Sequence, residues 1–269
     1  MVISNSRNAG FFAELTTVIR HIKKVRNDNK LVYVDWNKNN SLYFDSNYGE
    51  NVWEYYFEKV DGDLVSEIDY ILNDYIPIKP LKGLNLRQTF NGIYTNSIKL
   101  NHRTKDIIEN NLNLVDCKTL GIHLRKTDKY LGSSFNEQMA LPIEDKLVFK
   151  IVDDKLSEKV FDKLFLATDC DDTYKNFKSR YDNLIIPVER IRGVGTQAIH
   201  TSNRENGYIK GLESLIDSYI LSKCGFLIRS TSNLSSFSMF LNLNLECVNI
   251  NEIFRGDKRE HEFNIYSKL

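Results

Sequence analysis

No two cysteines of this sequence form a C-x-x-C pair: Cys117, Cys170, Cys224 and Cys247 are scattered. That excludes a cysteine-based zinc site and a disulfide framework, and predicts four reduced thiols set in strands or helices. Long apolar runs are also missing, none approaching the ~18 to 20 residues that span a bilayer. The opening residues, MVISNSRNAGFF, lack the basic-then-apolar order of a signal peptide. A cytoplasmic protein is expected, with peripheral proximity as its closest approach to a membrane. Charge of either sign is not in excess, 36 basic residues standing against 36 acidic ones, which argues against a nucleic-acid partner or an anionic-membrane surface. Internal repeats and low-complexity segments are absent as well. What remains, 269 residues with 42% hydrophobic and 27% charged content, is an ordinary globular chain long enough for one large or two modest domains.

Along the chain the apolar period switches repeatedly between helix and strand. From Gly10 to His21 the apolar residues recur at helical spacing, and LVYVDW at 31–36 reads as a buried strand. Residues 37–58 are irregular and rich in Asn, Tyr and Trp. Asp63 to Ile76 reads as a helix stopped by Pro77 and Pro80, followed by a surface loop and a helix from about His102 to Asn111. Beyond Cys117, strands are expected at 120–124, 164–168, 184–188, 226–230 and 245–250, with helices at 142–153, 172–181, 205–223 and 232–241 between them. Such alternation implies an α/β fold with right-handed crossovers and mostly parallel sheets, whose ligands bind at the carboxyl ends of the strands. The residues just after 124, 168 and 230 should therefore converge on one crevice. A boundary near residue 115 divides the chain into lobes 1–115 and 116–269.

The densest chemical signal is His123-Leu124-Arg125-Lys126-Thr127-Asp128-Lys129, where a buried strand runs directly into alternating basic and polar side chains. Three cations in five residues suit a diphosphate, and an arginine fork can bind two phosphate oxygens at once while staying charged. A strand end solvated by charge fits the same spacing. Asp169-Cys170-Asp171-Asp172 offers a second signal, the D-x-D arrangement in which two carboxylates hold a divalent cation on a diphosphate. Acidic residues opening a helix have a simpler role at its positive end, and the neighbouring Arg125 and Lys126 already supply the positive charge a leaving diphosphate requires. Trp36, Tyr43, Tyr48, Trp53, Tyr55, Tyr56 and Phe57 crowd one stretch and fit either sugar stacking or a core cluster. The polar stretch Arg192 to Arg204 has the length of a lid.

The stretch GIHLRKTDK resembles the His-x-Arg-Arg-Thr-Asp-Lys signature of the α1,6-fucosyltransferases. Two later pieces fall in the same order. LFLATDCDD is similar to that family's strand ending in Ala-Thr-Asp-Asp, and ENGYIKGLESLIDSYILSKCGFLIRSTSNLSSF to its acid-bearing helix, Leu-Ser, strand and Ser-Ser segment. The agreement covers roughly residues 118 to 250, with a weaker echo of a glycine-rich loop at AGFFAEL. The resemblance implies a GT-B-like fold of two Rossmann-like lobes, with a final helix crossing back to the first. It implies an inverting, metal-independent transfer of L-fucose from GDP-fucose to a hydroxyl of a glycan or lipid-linked saccharide, in surface polysaccharide or glycoconjugate synthesis, with no cofactor.

Carried across by position, Arg125 resembles the arginine on the donor diphosphate, with Lys126 in place of a second arginine and Lys129 closing the motif. His123 matches a histidine near the nucleoside, Asp217 the acid that accepts from the guanine N–H groups, and Ser232 with Asn233 the small polar pair near the phosphates at a helix N-terminus. The pattern of residues alone also fits a core histidine, a surface aspartate and a helix cap. Asp169 is followed by Cys170 where the family has a second acid. The family's acid beyond the basic motif is displaced, Gly132-Ser133-Ser134 standing there, so the general base is left among Glu137, Asp128 and Glu14. Asp35 and Trp36, with Glu14, are the expected acceptor-side residues. The competing readings are a same-fold transferase using another donor, a metal-dependent transferase built on the Asp169 cluster, and a non-catalytic nucleotide-sugar-binding protein.

Overall fold

The computed structural model describes residues 2–4, 9–38, 41–62, 71–72, 83–127, 141–194 and 206–257, and builds them around two parallel sheets. In the first sheet β1 (Val2–Ser4) lies between β2 (Tyr33–Asp35) and β3 (Ile71–Leu72). The crossover from β1 to β2 is α1 (Phe11–Asn27), which buries Phe11, Leu15, Val18, Ile22 and Val25 on one stripe. This helix runs beyond the expected end at His21, and the basic residues Lys24 and Arg26 suit the negative end of its dipole. The helix expected over 63–76 is corrected by Ile71 and Leu72, which pair with Val2 and Ile3 instead; the rest of that segment lies outside the described residues. Where a surface loop was expected there is α2 (Gly83–Ser97), followed by α3 (His102–Leu112), whose first turn is capped by Asn101 accepting from the Thr104 N–H at 2.9 Å.

The second sheet has the order β5-β4-β6-β7, all parallel, from β4 (Thr119–Leu124), β5 (Lys163–Thr168), β6 (Phe226–Arg229) and β7 (Cys247–Asn249). Between them run α4 (Asp145–Ser157), α5 (Asp171–Tyr181), α6 (Gly207–Lys223) and α7 (Asn233–Leu241), and α8 (Ile250–Arg255) follows β7. The strand expected at 184–188 is reduced to an isolated bridge between Ile185 and Leu164.

Strand parity sorts the side chains. Leu120, Ile122, Leu124, Leu164, Leu166, Phe226 and Ile228 enter a core shared with Val148 and Val152 of α4 and Phe177 of α5. The opposite parity, Phe165, Ala167 and Leu227, joins a second core that extends through Leu215 and Ile220 of α6 to Phe12, Leu15, Trp36 and Phe90 of the first lobe. The two sheets thus lie on either side of residue 115 while one apolar core runs between them. Polar links cross the same seam: Tyr56 donates to the Tyr208 carbonyl at 3.0 Å, and the fully buried Arg87 donates to the Leu245 carbonyl at 2.8 Å. The last described helix, α8, is tied within the second lobe by Asn251 and Arg255 donating to the Leu141 carbonyl. Residues 258–269, where a crossing helix was expected, lie outside the described residues.

Candidate functional site

The central position of β4 brings three strand ends together. His123 is level with Ala167 on one side and Arg229 on the other, so the residues that follow, Arg125, Asp169 and Ser230, emerge side by side. Hydrogen bonds fix them. The Arg125 N–H donates to Ser230 Oγ at 2.8 Å, and the Ser230 N–H to the His123 carbonyl at 2.9 Å. Asp169 organises the turn after β4: Oδ1 accepts from the Lys126 N–H at 2.8 Å, and Oδ2 accepts from Thr127 Oγ1 at 2.8 Å and lies 3.4 Å from Arg125 Nε. A carboxylate used in this way holds the guanidinium of Arg125 at the mouth of the sheet, where about a quarter of its side chain stays exposed.

Above these strand ends lies a cavity with about 650 Å³ of space open to solvent. Arg125, His123 and Asp169 form its floor, and Lys210, Glu213, Ser214 and Asp217 its wall. The four wall residues sit three, four and seven positions apart on α6, so a single face of that helix presents them. Arg190 and Ile191 close the far side and Tyr43 comes from the first lobe. Arg190 Nε donates to Asp217 Oδ1 at 2.8 Å, and the Ile191 N–H donates to Glu213 Oε2 at 3.0 Å.

The electrostatics follow from burial. His123 is pressed down to about pKa 3 by burial, with Arg125 and Arg229 adding to the effect, so the imidazole is neutral. Its Nδ1 has no hydrogen-bond partner among the described residues. Burial raises the carboxyl pKa of Asp217 against the lowering influence of Arg190 and Arg192, and burial likewise raises that of Glu213. Burial lowers the pKa of Arg192, whose guanidinium lies 3.7 Å from the centre of the Tyr174 ring.

Four of the expected residues, His123, Arg125, Asp169 and Asp217, line this one cavity. Lys126 does not line it: its buried ammonium pairs with Asp145 Oδ1 at 2.8 Å and donates to the Ile143 carbonyl, on the α4 side of the sheet. Ser232 caps α7, accepting from the Leu234 N–H at 3.3 Å, and of that turn it is Leu234, rather than Ser232 or Asn233, that reaches the cavity. Trp36 is enclosed edge-to-face by Phe11 and Trp53 and offers no ring face to a sugar. Trp53, Tyr55, Tyr56 and Phe57 are buried with it. Asp35 is partly exposed at the end of β2, its carboxyl pKa raised by burial, and Glu14 is buried on α1; neither lines the cavity. Asp128, Lys129 and Glu137 lie outside the described residues, as does most of the stretch read as a lid. In the D-x-D-like segment, Asp171 opens α5 and pairs with Lys175 at 2.6 Å. Sequence reasoning missed Arg190, Lys210, Glu213 and Ser214. The last three were legible as helical neighbours of Asp217; Arg190 carried no signal beyond following an apolar run.

The class defined by this architecture is a mixed α/β, GT-B-like fold of the fucosyltransferase type, with parallel sheets and a crevice at the strand ends. In particular, the chain is similar to fucosyltransferase NodZ from Bradyrhizobium, with a TM-score of 0.56, 15% identity and coverage of 90% of this chain and 92% of that one. The NodZ α-1,6-fucosyltransferase soaked with GDP-fucose gives a TM-score of 0.55 at the same identity and coverage. A mutant of Arabidopsis thaliana FUT1 in complex with GDP gives 0.51 at 10% identity, covering 91% of this chain and 69% of that one. No family model matches the sequence, and no curated protein matches it either. At these identities the likeness is one of fold.

Proposed function

We propose that the protein is an inverting glycosyltransferase that takes L-fucose from GDP-fucose and places it on a hydroxyl of a glycan or lipid-linked saccharide, without an obligatory metal, in cytoplasmic assembly of a surface polysaccharide or glycoconjugate. The observation that carries this reading is Arg125 at the end of the central strand, braced by Asp169 and Ser230 and lining one cavity with His123 and Asp217. In the reaction the acceptor oxygen attacks the anomeric carbon from the face opposite the diphosphate. The carbon–oxygen bond to the β-phosphate breaks, and its electron pair leaves on the diphosphate. A carboxylate, Asp128 or Glu137, takes the acceptor proton. Arg125 neutralises charge that grows only as the bond breaks, so it stabilises the transition state more than the bound donor. Lobe 1–115 supplies the acceptor side and lobe 116–269 the donor side.

The experiment is a thermal-shift comparison of GDP, GDP-fucose and UDP. A ligand at a hundredfold its dissociation constant adds about 2.7 kcal/mol of stability. GDP and GDP-fucose should raise the melting temperature and UDP should not. Release of GDP from GDP-fucose, undiminished by excess chelator, should depend on Arg125. A non-catalytic nucleotide-sugar-binding protein is the second reading, favoured by the withdrawal of the Lys126 ammonium to Asp145. Binding of GDP-fucose with no release of GDP in the presence of any acceptor would select it.

A further inference from the structure

The wall of the cavity has a particular order of donors and acceptors. Arg190 occupies one oxygen of Asp217 through Nε and gives Nη1 to the Glu189 carbonyl at 2.9 Å, while its buried Nη2 has no partner among the described residues. Asp217 keeps Oδ2 without a hydrogen-bond partner among those residues. One turn earlier on α6, Glu213 accepts from Ile191 with Oε2 and keeps Oε1 in the same condition. His123 lines the same space, and its buried Nδ1 has no partner among the described residues.

A donor followed by two acceptors is the complement of one nucleobase edge. Guanine presents an oxygen acceptor at position 6, then N–H donors at positions 1 and 2. Uracil presents the same first two groups, an oxygen and an N–H, but a third group of opposite sense, a carbonyl oxygen. The Arg190–Asp217 pair therefore cannot separate guanine from uracil; only the third position can. We propose that Glu213 is the residue that determines guanine specificity, its Oε1 accepting from the exocyclic 2-amino group while Arg190 and Asp217 read the 6-oxo and N1–H groups. This rests on the nucleotide-sugar reading above and deepens it. Burial raises the pKa of both carboxyls, and Arg190 and Arg192 act against it, favouring the ionised forms that this role requires.

The fixed Ile191 bond makes the test sharp. In Glu213→Gln the amide carbonyl must take the Ile191 side, which turns the amide NH2 toward the cavity and replaces an acceptor by a donor of the same shape. Dissociation constants are measured by calorimetry for GDP, inosine diphosphate, which lacks the 2-amino group, and xanthosine diphosphate, which has an oxygen there. Wild type should bind GDP about tenfold or more tightly than inosine diphosphate. Glu213→Gln should lose that preference and bind xanthosine diphosphate better than wild type does. Glu213→Ala, read in the same way if the glutamine variant does not fold, should bind GDP and inosine diphosphate alike. Wild type that does not distinguish GDP from inosine diphosphate overturns the assignment, as does a variant that keeps wild-type preference or weakens all three ligands by one common factor. Wild type that binds none of the three overturns the nucleotide-sugar reading itself, and this inference with it.

Discussion

Burial, joined by the guanidinium groups of Arg125 and Arg229, presses the pKa of His123 down to about 3 from the ordinary 6.5. In the unfolded chain the imidazole gains a proton as pH falls through 6.5; in the folded chain it stays neutral until about 3. Stability from this residue is therefore complete above pH 6.5 and is lost across that window, at about 1.4 kcal/mol per pH unit. Melting curves of wild type and His123→Asn between pH 4 and 7 should converge as pH falls, and parallel curves would refute the neutral imidazole. Two residues along, neighbours in the basic motif divide into different roles, and strand parity is the reason. Lys126 continues the row Leu120, Ile122, Leu124 toward α4 and meets Asp145, whereas Arg125 continues the row of His123 into the cavity. Lys126→Met should thus cost stability, roughly 3 kcal/mol for breaking a buried pair. Arg125→Met should leave the melting temperature nearly unchanged and lower kcat by about a hundredfold or more. Thermal melts and donor turnover on both variants check this crossing, and equal losses of turnover would restore Lys126 to the chemistry. Composition and spacing mark the whole motif alike, and only the parity of the strand separates Arg125 from Lys126.

Helix α6 carries the cavity wall on one face and two glycines on another. A Cβ at Gly207 would overlap the Phe44 carbonyl, and one at Gly211 the hydroxyl and ring of Tyr56. These glycines let the helix lie directly on the first lobe, and the position of Glu213 and Asp217 is set by that approach. Gly211→Ala should cost about 1 to 3 kcal/mol through overpacking. It should also weaken GDP binding, because the helix can relieve the overlap only by moving its polar face. A loss of stability with unchanged GDP affinity, read by calorimetry, would separate the two. The helix itself was legible to within two residues at its start, since its apolar residues recur over five turns. By contrast α2 was read as part of a loop. Its Asn91-Gly92 pair is a turn signal, but Asn91 donates to the Phe240 carbonyl at 2.9 Å and Arg87 to Leu245, so long-range partners outweigh local preference. Strand β1 was missed because three residues are too few to show a period.

Two lobes follow from the alternation of strands and helices, yet nothing in that pattern says how they meet. The answer lies in contacts between residues more than a hundred positions apart: Phe12 on Phe237 with ring centres 5.0 Å apart, Phe90 stacked on Phe240 at 4.4 Å, and the Tyr94 hydroxyl 2.8 Å from that of Tyr219. These pairs belong to one continuous core, so neither sheet can lose its cover without exposing the other. The molecule should therefore unfold as one cooperative unit. Tryptophan fluorescence, which reports Trp36 and Trp53 of the first lobe alone, and far-ultraviolet circular dichroism, which reports both lobes, should give coincident denaturant transitions. Phe237→Ala opens a cavity where α7 meets α1 and α2, at a cost of about 3 to 5 kcal/mol. Because Phe237 lies on the second lobe and both tryptophans on the first, the variant is informative in either direction. If the core is shared, the fluorescence midpoint falls together with the circular-dichroism midpoint; if the lobes are independent, the fluorescence midpoint stays at its wild-type value while part of the dichroism change moves to lower denaturant.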